Sequence, residues 1–401
     1  MSAHVVRGLL LARGLRAFAD GFVSLLLPVH LLALGFTPFE VGAIATATLL
    51  GSGVLTLAVG LRANSIPTPV LLFAAAALMC ATGLAFATLT AFWPLLVVAI
   101  VGTLNPSSGD VSIFLPLEHA VLAHAVSDRE RTAVFARYSL VGALAGAGGA
   151  LCAGAPELAS RWLALDLAAL YPWMFVLYGL LGLCSGAIYR RLPAGEVDAR
   201  ATPAPLRESK RIVYALAALF SLDAFGGGFL VQSLLALWLF ERFELSLAVA
   251  GTIFFWTGVL SALSYLIAAR IASRIGLVNT MVFTHLPSSM LLLAMPFAPN
   301  LSVVIALLLL RSALSQMDVP TRSSYVMAVV SPSERAAAAG ITSVPRSLAS
   351  SASPILAGYL LGLSSFGWPL IVAGSVKIVY DLLLLATFRS VRPPEESALR
   401  R

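Results

Sequence analysis

The 401-residue chain is 59% hydrophobic and only 11% charged, against about 25% charged in ordinary globular domains. Twenty-six basic and 19 acidic side chains cannot keep that much apolar surface in water, so soluble, disordered and collagen-like chains are excluded. The net charge of +7 carries no nucleic-acid signal, because there are only two lysines, Lys210 and Lys377, and no basic stripe interleaved with aromatics. The composition is that of an all-α polytopic membrane protein whose partner is the lipid bilayer.

A helix needs about 20 apolar residues to cross the hydrocarbon core. Read in chain order, with Gly, Pro and charge clusters as breaks, the sequence predicts twelve spans. The first six cover 9–34, 39–61, 67–90, 93–124, 131–155 and 166–189. The last six cover 211–240, 246–271, 277–299, 300–328, 334–362 and 366–389. The N-terminal arginines and the run after them resemble a signal peptide. That run holds Asp20 and continues to about Gly35 without a small-residue cleavage site, so it reads as a retained first span. β-Barrel strands are excluded, because the runs are continuously apolar and do not alternate. Cys80, Cys152 and Cys184 each lie inside an apolar run and read as small core hydrophobes. No His/Cys spacing suggests zinc, and no cofactor is expected.

With this span count both termini share one side, and nineteen of the 26 Lys and Arg residues fall there. Only Arg161 and Arg242 fall on the other side, so the termini and the long central linker are expected to be cytoplasmic, in an inner (plasma) membrane. The linker, residues 190–211, is polar and rich in Pro and Ala. The expected organisation is a six-helix bundle over 1–189, this linker, a second bundle over 212–389, and a cytoplasmic tail over 390–401. A monomer is expected.

The two halves repeat. At an offset of 204 residues Pro116 meets Pro320, Glu130-Arg131 meets Glu334-Arg335, and Ala153-Gly154 meets Ala357-Gly358. Near that offset Asp20-Gly21-Phe22 faces Asp223 and the Gly227-Gly228-Phe229 run. A six-plus-six parallel repeat is the plan of rocking secondary transporters, with a binding site near midplane between the halves.

Ala269-Arg270-Ile271-Ala272-Ser273-Arg274-Ile275-Gly276 resembles the gating-loop signature of the major facilitator superfamily, with Arg270, Arg274 and Gly276 in the matching places and Ser273 where the family has Asp. The first-half loop Gly60-Leu61-Arg62-Ala63-Asn64 is a more degraded copy. The Gly142–Gly149 run of the fifth span resembles an antiporter glycine motif without its proline. Close helix packing through small residues explains such glycines equally well. The resemblance covers nearly the whole chain. It implies a pseudo-symmetric twelve-helix fold and a central cavity lined by spans one, four, seven and ten. It also implies transport of a small-molecule substrate by alternating access, with export slightly favoured through the glycine motifs. Proton-coupled uptake of a small organic anion or metabolite is the alternative, with a soft-metal transporter and a non-transporting sensor on the same fold behind it.

Charge at the bilayer centre costs about 2.5–3.5 kcal/mol on insertion scales, so each instance needs a reason. The intramembrane set is Asp20, Asp110, Glu118, Asp223, Asp318 and Asp381 against Arg137, Arg311, Arg322, Arg346 and Lys377. Asp318 with Arg322 and Lys377 with Asp381 stand four apart and can neutralise one another. Glu118 has Arg137 as a candidate partner and Asp20 has Arg13. Asp223 has no local base and precedes Phe225-Gly226-Gly227-Gly228, where three glycines permit local unwinding. Asp110 follows Asn105-Pro106-Ser107-Ser108-Gly109 in a similar setting. Asp223, Asp110 and Asp20 are therefore the proton-coupling candidates. Arg311 and Arg346 could hold an anion through bidentate forks or be locked to Asp223, and Gln232 and Asn105 could add polar contacts. Met281 and His285 are one turn apart on the ninth span and leave a weaker soft-metal reading open. No HExxH or GxSxG motif is present, so enzymatic chemistry is not expected.

Overall fold

The computed structural model describes residues 2–62, 66–107, 112–126, 128–192, 206–331, 334–389 and 391. Among them every regular element is helical. The first part of the chain forms α1 (Ser2–Ala33), α2 (Pro38–Arg62), α3 (Thr68–Thr88), α4 (Phe92–Val101), α5 (Phe114–Ala125), α6 (Asp128–Cys152), α7 (Ala155–Leu163) and α8 (Tyr171–Tyr189). Then come α9 (Lys210–Gly228), α10 (Gln232–Phe243), α11 (Leu247–Ile275), α12 (Leu277–Ala294), α13 (Leu301–Ser315), α14 (Asp318–Val329), α15 (Arg335–Leu363) and α16 (Trp368–Phe388). Among the described residues ten helical stretches are long and apolar enough to cross a membrane, which makes this a multi-pass membrane protein. Of the twelve expected spans, the fourth and eleventh are not in that set. The fourth is split into α4 and α5. The eleventh, α15, is 29 residues long but rich in Ala and Ser, with Arg335 and Arg346 in it.

Three expected spans are each two helices. The fourth breaks after Val101, the seventh between Gly228 and Gln232, and the tenth between Ser315 and Asp318. The glycine run at 226–228 anticipated the second break, and Asn105-Pro106 the first; nothing in the composition pointed to the third. The repeat accounts for it. α5 and α14 begin and end 204 residues apart, and Pro116 and Pro320 are the third residue of each. The first four N–H groups of a helix have no partner within it, so proline costs no hydrogen bond there and pre-sets the helical φ. The matched prolines therefore mark the restart of a broken helix.

Each break exposes backbone groups that need partners. At the first, the Thr103 carbonyl accepts from the Tyr178 hydroxyl at 3.0 Å and the Thr103 amide donates to Thr82 Oγ1 at 3.3 Å. At the third, the amides of Met317 and Val319 donate to the Leu314 and Gln316 carbonyls at 3.4 Å each, and Tyr265 braces the Gln316 side chain by donating to Oε1 at 3.2 Å. Near the end of α9, Ser353 Oγ donates to the Phe225 carbonyl at 2.5 Å.

The described chain forms two compact units. One comprises residues 1–200 with 231–258, the other 201–230 with 259–401. The expected bundles were consecutive in sequence; here the α10 segment and the first turns of α11 cluster with the first unit. In that unit α1 packs on α6 and α8, and α3 on α8. The α1–α6 approach is close enough that a Cβ on Gly149 would stand 2.0 Å from the Phe18 carbonyl oxygen, and one on Gly21 2.1 Å from that of Gly146. The fifth-span glycines are thus accounted for by packing, which removes the ground on which export was favoured. The second unit has its own apolar core, in which Val213, Leu216 and Phe220 of α9 meet Met281 and Val282 of α12, Tyr325 of α14, and Tyr380 and Leu384 of α16.

Candidate functional site

Several of the residues singled out from sequence fall into two buried charged clusters, one in each unit. In the first unit the cluster is built on Arg16 of α1. Its guanidinium donates from Nη2 to Glu118 of α5 and from Nε to the Tyr189 hydroxyl at 2.9 Å. Tyr138 of α6 and Tyr189 of α8 both donate to the same carboxylate, Tyr189 at 2.7 Å to Oε1. The guanidinium carbon also lies 4.1 Å from the centre of the Phe114 ring, a favourable place for a desolvated cation. Arg16 and Glu118 are 2% and 0% exposed, so the pair is removed from water and three protein donors take the place of solvent around the carboxylate. Glu118 pairs with Arg16 and not with the suggested Arg137, which is exposed. Asp20 is buried one turn along α1 and adds its field to that around Arg16.

The second unit holds a larger cluster. Asp223, on α9 just before the glycine run, accepts from Lys377 Nζ of α16 at 2.6 Å on Oδ1, and its Oδ2 lies 3.3 Å from Arg322 Nη2 of α14. Arg322 Nη2 also donates to Asp318, one turn earlier on α14. His285 of α12 places Nδ1 at 2.9 and 3.0 Å from the two carboxylate oxygens of Asp381 on α16. Its Nε2 is 3.6 Å from Asp223 Oδ1, and its ring meets Tyr380 edge to face. The order Asp381–His285–Asp223–Arg322–Asp318 is therefore one connected chain of charge, with Lys377 on Asp223.

Two expectations are revised by this geometry. Lys377 and Asp381 do not neutralise each other: Lys377 points to α9 and Asp381 to α12. Asp223 does not use Arg311 or Arg346 as its ion-pair partner; Lys377 and Arg322 take that place. The Asp318–Arg322 pair forms as the four-residue spacing suggests. His285 is the residue that sequence reasoning undervalued. It was weighed with Met281 as a soft-metal ligand, yet both ring nitrogens face carboxylates. Among the described residues no group of three His, Cys, Asp or Glu side chains is placed to hold a metal ion.

The remaining candidates separate. Asp110 lies outside the described residues. Asn105 is buried and turned inward, with Oδ1 accepting from the Ser107 amide at 3.0 Å and hydroxyl at 2.7 Å, which is the work of a loop-forming Asn. Gln232 is half-buried in the first turn of α10. Arg346 is exposed on α15, and Arg311 is half-buried on α13. Among the described residues Arg311 Nε and Arg322 Nε and Nη1 are buried N–H groups without an acceptor. In the gating-loop segment Arg270 and Arg274 are exposed on the end of α11. Gly276 has φ +90° between α11 and α12, a backbone conformation that glycine adopts without penalty.

Two loop-side carboxylates complete the inventory. Glu334 accepts from the backbone amides of Arg207, Glu208 and Ser209 at 2.5, 2.9 and 3.0 Å, at the entrance of α9. Those amides hold its carboxylate well below the usual range, at about 2, against the opposing effect of desolvation. In the first unit Glu157 of α7 does the same for α11, accepting from Leu247 and Ala248 at 2.5 and 3.0 Å.

Comparison with known proteins agrees with this architecture. Residues 216–401 match the family model described as Major Facilitator Superfamily. An uncharacterized membrane protein of Saccharomyces cerevisiae is 26% identical, over 94% of this chain and 92% of its own length. Among solved structures, a bacterial homolog of the human lysosomal transporter Spinster, inward-facing and occupied, superposes with TM-score 0.77 at 12% identity, covering 97% of both chains. The nucleoside transporter NupG gives TM-score 0.75 at 14% identity, over 96% of this chain and 99% of that one. The human organic anion transporter MFSD10 gives 0.65 at 18%, over 96% and 99%. At such identities the structural likeness establishes the fold.

Proposed function

We propose that this chain is a member of the major facilitator superfamily, whose family model matches residues 216–401, and that it is a proton-coupled secondary transporter of a small anionic molecule that works by alternating access. The observation that carries the reading is the second unit's buried charge chain. It links α9, α12, α14 and α16 beside two helix breaks, and holds three carboxylates, an arginine, a lysine and a histidine at hydrogen-bond or ion-pair distances. A lipid-embedded bundle gains little from burying such groups when apolar residues of equal size would pack at lower cost. Their presence is understood if their pairing changes during a transport cycle. Asp223 is the hub, because two cations and a histidine share its two oxygens. Asp20 and Asp110 are secondary candidates for the same coupling.

The anionic character of the substrate rests on guanidinium edges left without acceptors. Arg322 presents two such N–H groups and Arg311 one, and Arg346 is exposed on α15. A carboxylate or phosphate would satisfy them with bidentate geometry that lysine cannot reproduce. The distribution of basic residues in the sequence supports cytoplasmic termini in a plasma membrane.

The test is uptake of labelled monocarboxylates, dicarboxylates and organic phosphates into proteoliposomes, with and without an imposed pH gradient. At least one anion is expected to accumulate only with the gradient. Asp223→Asn should abolish the accumulation. Arg346→Lys should weaken the anions and leave any neutral solute unaffected. If no anion responds to the gradient, or if Asp223→Asn accumulates normally, the reading fails.

A further inference from the structure

Asp223 is the conspicuous carboxylate of the second unit, yet it is poorly suited to carry a proton. Lys377 sits 2.6 Å from one oxygen and Arg322 3.3 Å from the other, so both of its oxygens already face a cation. Asp318 is likewise held by Arg322. What remains is the other end of the chain, where Asp381 has no lysine or arginine at bonding distance among the described residues and meets only His285.

We propose that His285 is the proton-binding group of this cluster, and that its proton displaces Lys377 from Asp223. The proposal rests on the transport reading above but goes beyond it in assigning the proton to a residue on α12 and giving that proton a mechanical consequence. With Nδ1–H donated to Asp381 at 2.9 Å, the neutral ring must present the lone pair of Nε2 to Asp223 Oδ1, 3.6 Å away. A lone pair facing a carboxylate oxygen is repulsive. Adding a proton from water forms the Nε2–H bond and turns that repulsion into a charge-assisted donor aimed at Oδ1. The same oxygen is occupied by Lys377 Nζ, so protonation puts two cations in competition for one acceptor. On deprotonation the proton returns to water and Lys377 recovers Oδ1. Because Lys377 ties α16 to Asp223 of α9 and Asp381 ties α16 to His285 of α12, exchanging Lys377 for His285 transfers the charged tie on Asp223 from α16 to α12.

The charged groups around His285 come from several helices. From α16 come Asp381, Lys377 and the Tyr380 ring. From α9 comes Asp223, and from α14 Arg322 with Asp318 behind it. Arg311 of α13 and Arg346 of α15 act at longer range on Asp223. Two carboxylates stand nearest the ring, with Lys377 and Arg322 on the far side of Asp223. The imidazole, at 5% side-chain exposure, holds its proton out of contact with bulk water, as a carried proton requires. Histidine is the side chain whose ordinary range lies near neutral pH.

The test uses the full chain in lipid nanodiscs and needs no solute. Ring nitrogens are followed in a 15N-histidine sample from pH 5 to 9, with His285→Gln identifying the His285 signals. The ammonium of Lys377 is followed in a 15N-lysine sample, which is simple because Lys210 is the only other lysine. His285 is expected to gain a proton at Nε2 within this range, and the Lys377 signal to move with the same midpoint. In His285→Gln the Lys377 signal should stay fixed. Asp381→Asn should lower the histidine midpoint by about one pH unit or more, having removed its nearest carboxylate. A His285 ring that stays in one state from pH 5 to 9 would overturn the proposal, as would a Lys377 signal that ignores the histidine titration. If His285→Gln fails to fold, the shared midpoint in native protein and its shift in Asp381→Asn decide the matter. A titration as expected with no anion transported would sink the transport reading and leave the proton assignment standing.

Discussion

The two units solve the same packing problem with different chemistry. Position 16 and position 118 of the first unit correspond, 204 residues on, to 220 and 322 of the second. In both units these positions touch. In the first, Arg16 meets Glu118; in the second, Phe220 lies under the guanidinium of Arg322, 5.2 Å from ring centre to charge. The same two helix faces thus meet at the same place, but the arginine has moved from the first helix of the repeat to the fourth. In the first unit one base, one acid and two tyrosine hydroxyls close on themselves, a lock with a single arrangement. In the second the displaced arginine has drawn in acids from α9 and α14, and Lys377 and His285 both face Oδ1 of Asp223. A cluster with one solution holds a bundle together, whereas one with several near-equivalent pairings can change state. Under the proposed function the first unit anchors and the second responds.

The sharpest way to break this comparison is to remove the acid from the closed cluster. Glu118→Ala leaves Arg16 buried with no carboxylate at bonding distance and should destabilise the protein by about 3–5 kcal/mol, read as a lower thermal midpoint in detergent. Arg16→Met combined with Glu118→Leu should recover most of that loss; if it does not, the cluster is more than a structural lock. In the second unit Asp223→Asn should cost less, because Arg322 keeps Asp318, the amide still offers an acceptor to Lys377, and a lysine, unlike Arg16, can shed its proton when its counter-charge is lost. A loss as large as that of Glu118→Ala would remove the distinction between the units.

Smaller effects sharpen the parallel. Each unit uses a distant carboxylate to satisfy the free amides at the start of a helix. Glu334 serves α9 with its carboxylate held near 2 against an ordinary 4.5. A depressed carboxylate contributes fully above its unfolded-state value and loses that contribution as pH falls through the folded one. The thermal midpoints of native protein and Glu334→Gln should therefore differ at pH 7 and converge as pH falls from about 4.5 toward 2. A gap independent of pH would place the effect outside ionisation. Glu157→Ala, at the start of α11, should cost about 1 kcal/mol, the usual scale of an N-terminal cap, in the same melting assay.

Much of this was legible in the sequence because membrane burial writes itself in composition. The expected spans reappear as single helices or helix pairs, since twenty apolar residues in a row have few alternatives in lipid. The glycine run at 226–228 announced its break, and the four-residue spacing of Asp318 and Arg322 announced their bond. The tenth-span break was hidden in a proline match that had been read only as evidence of repetition. Glu118 was assigned to Arg137, nineteen residues away in sequence, although Arg16, 102 positions distant, takes it. Lys377 and Asp381 satisfied the same spacing rule as Asp318 and Arg322, yet each turned to another helix. Local spacing shows which partners are available, not which is nearest once helices pack.

The amino-acid sequence on its own determined that this protein lives in a bilayer, that it is helical and duplicated, and that ionisable groups are buried in both halves. Those properties follow from the cost of exposing apolar surface to water and backbone to lipid, and that cost is local. Which charge answers which was decided only in three dimensions. A buried ion's energy falls off steeply with distance to its counter-charge, and helix packing sets those distances among residues 71 to 173 positions apart. His285 shows the difference most plainly: an isolated histidine on an apolar span becomes, once α9, α12 and α16 are packed, the ring between two carboxylates.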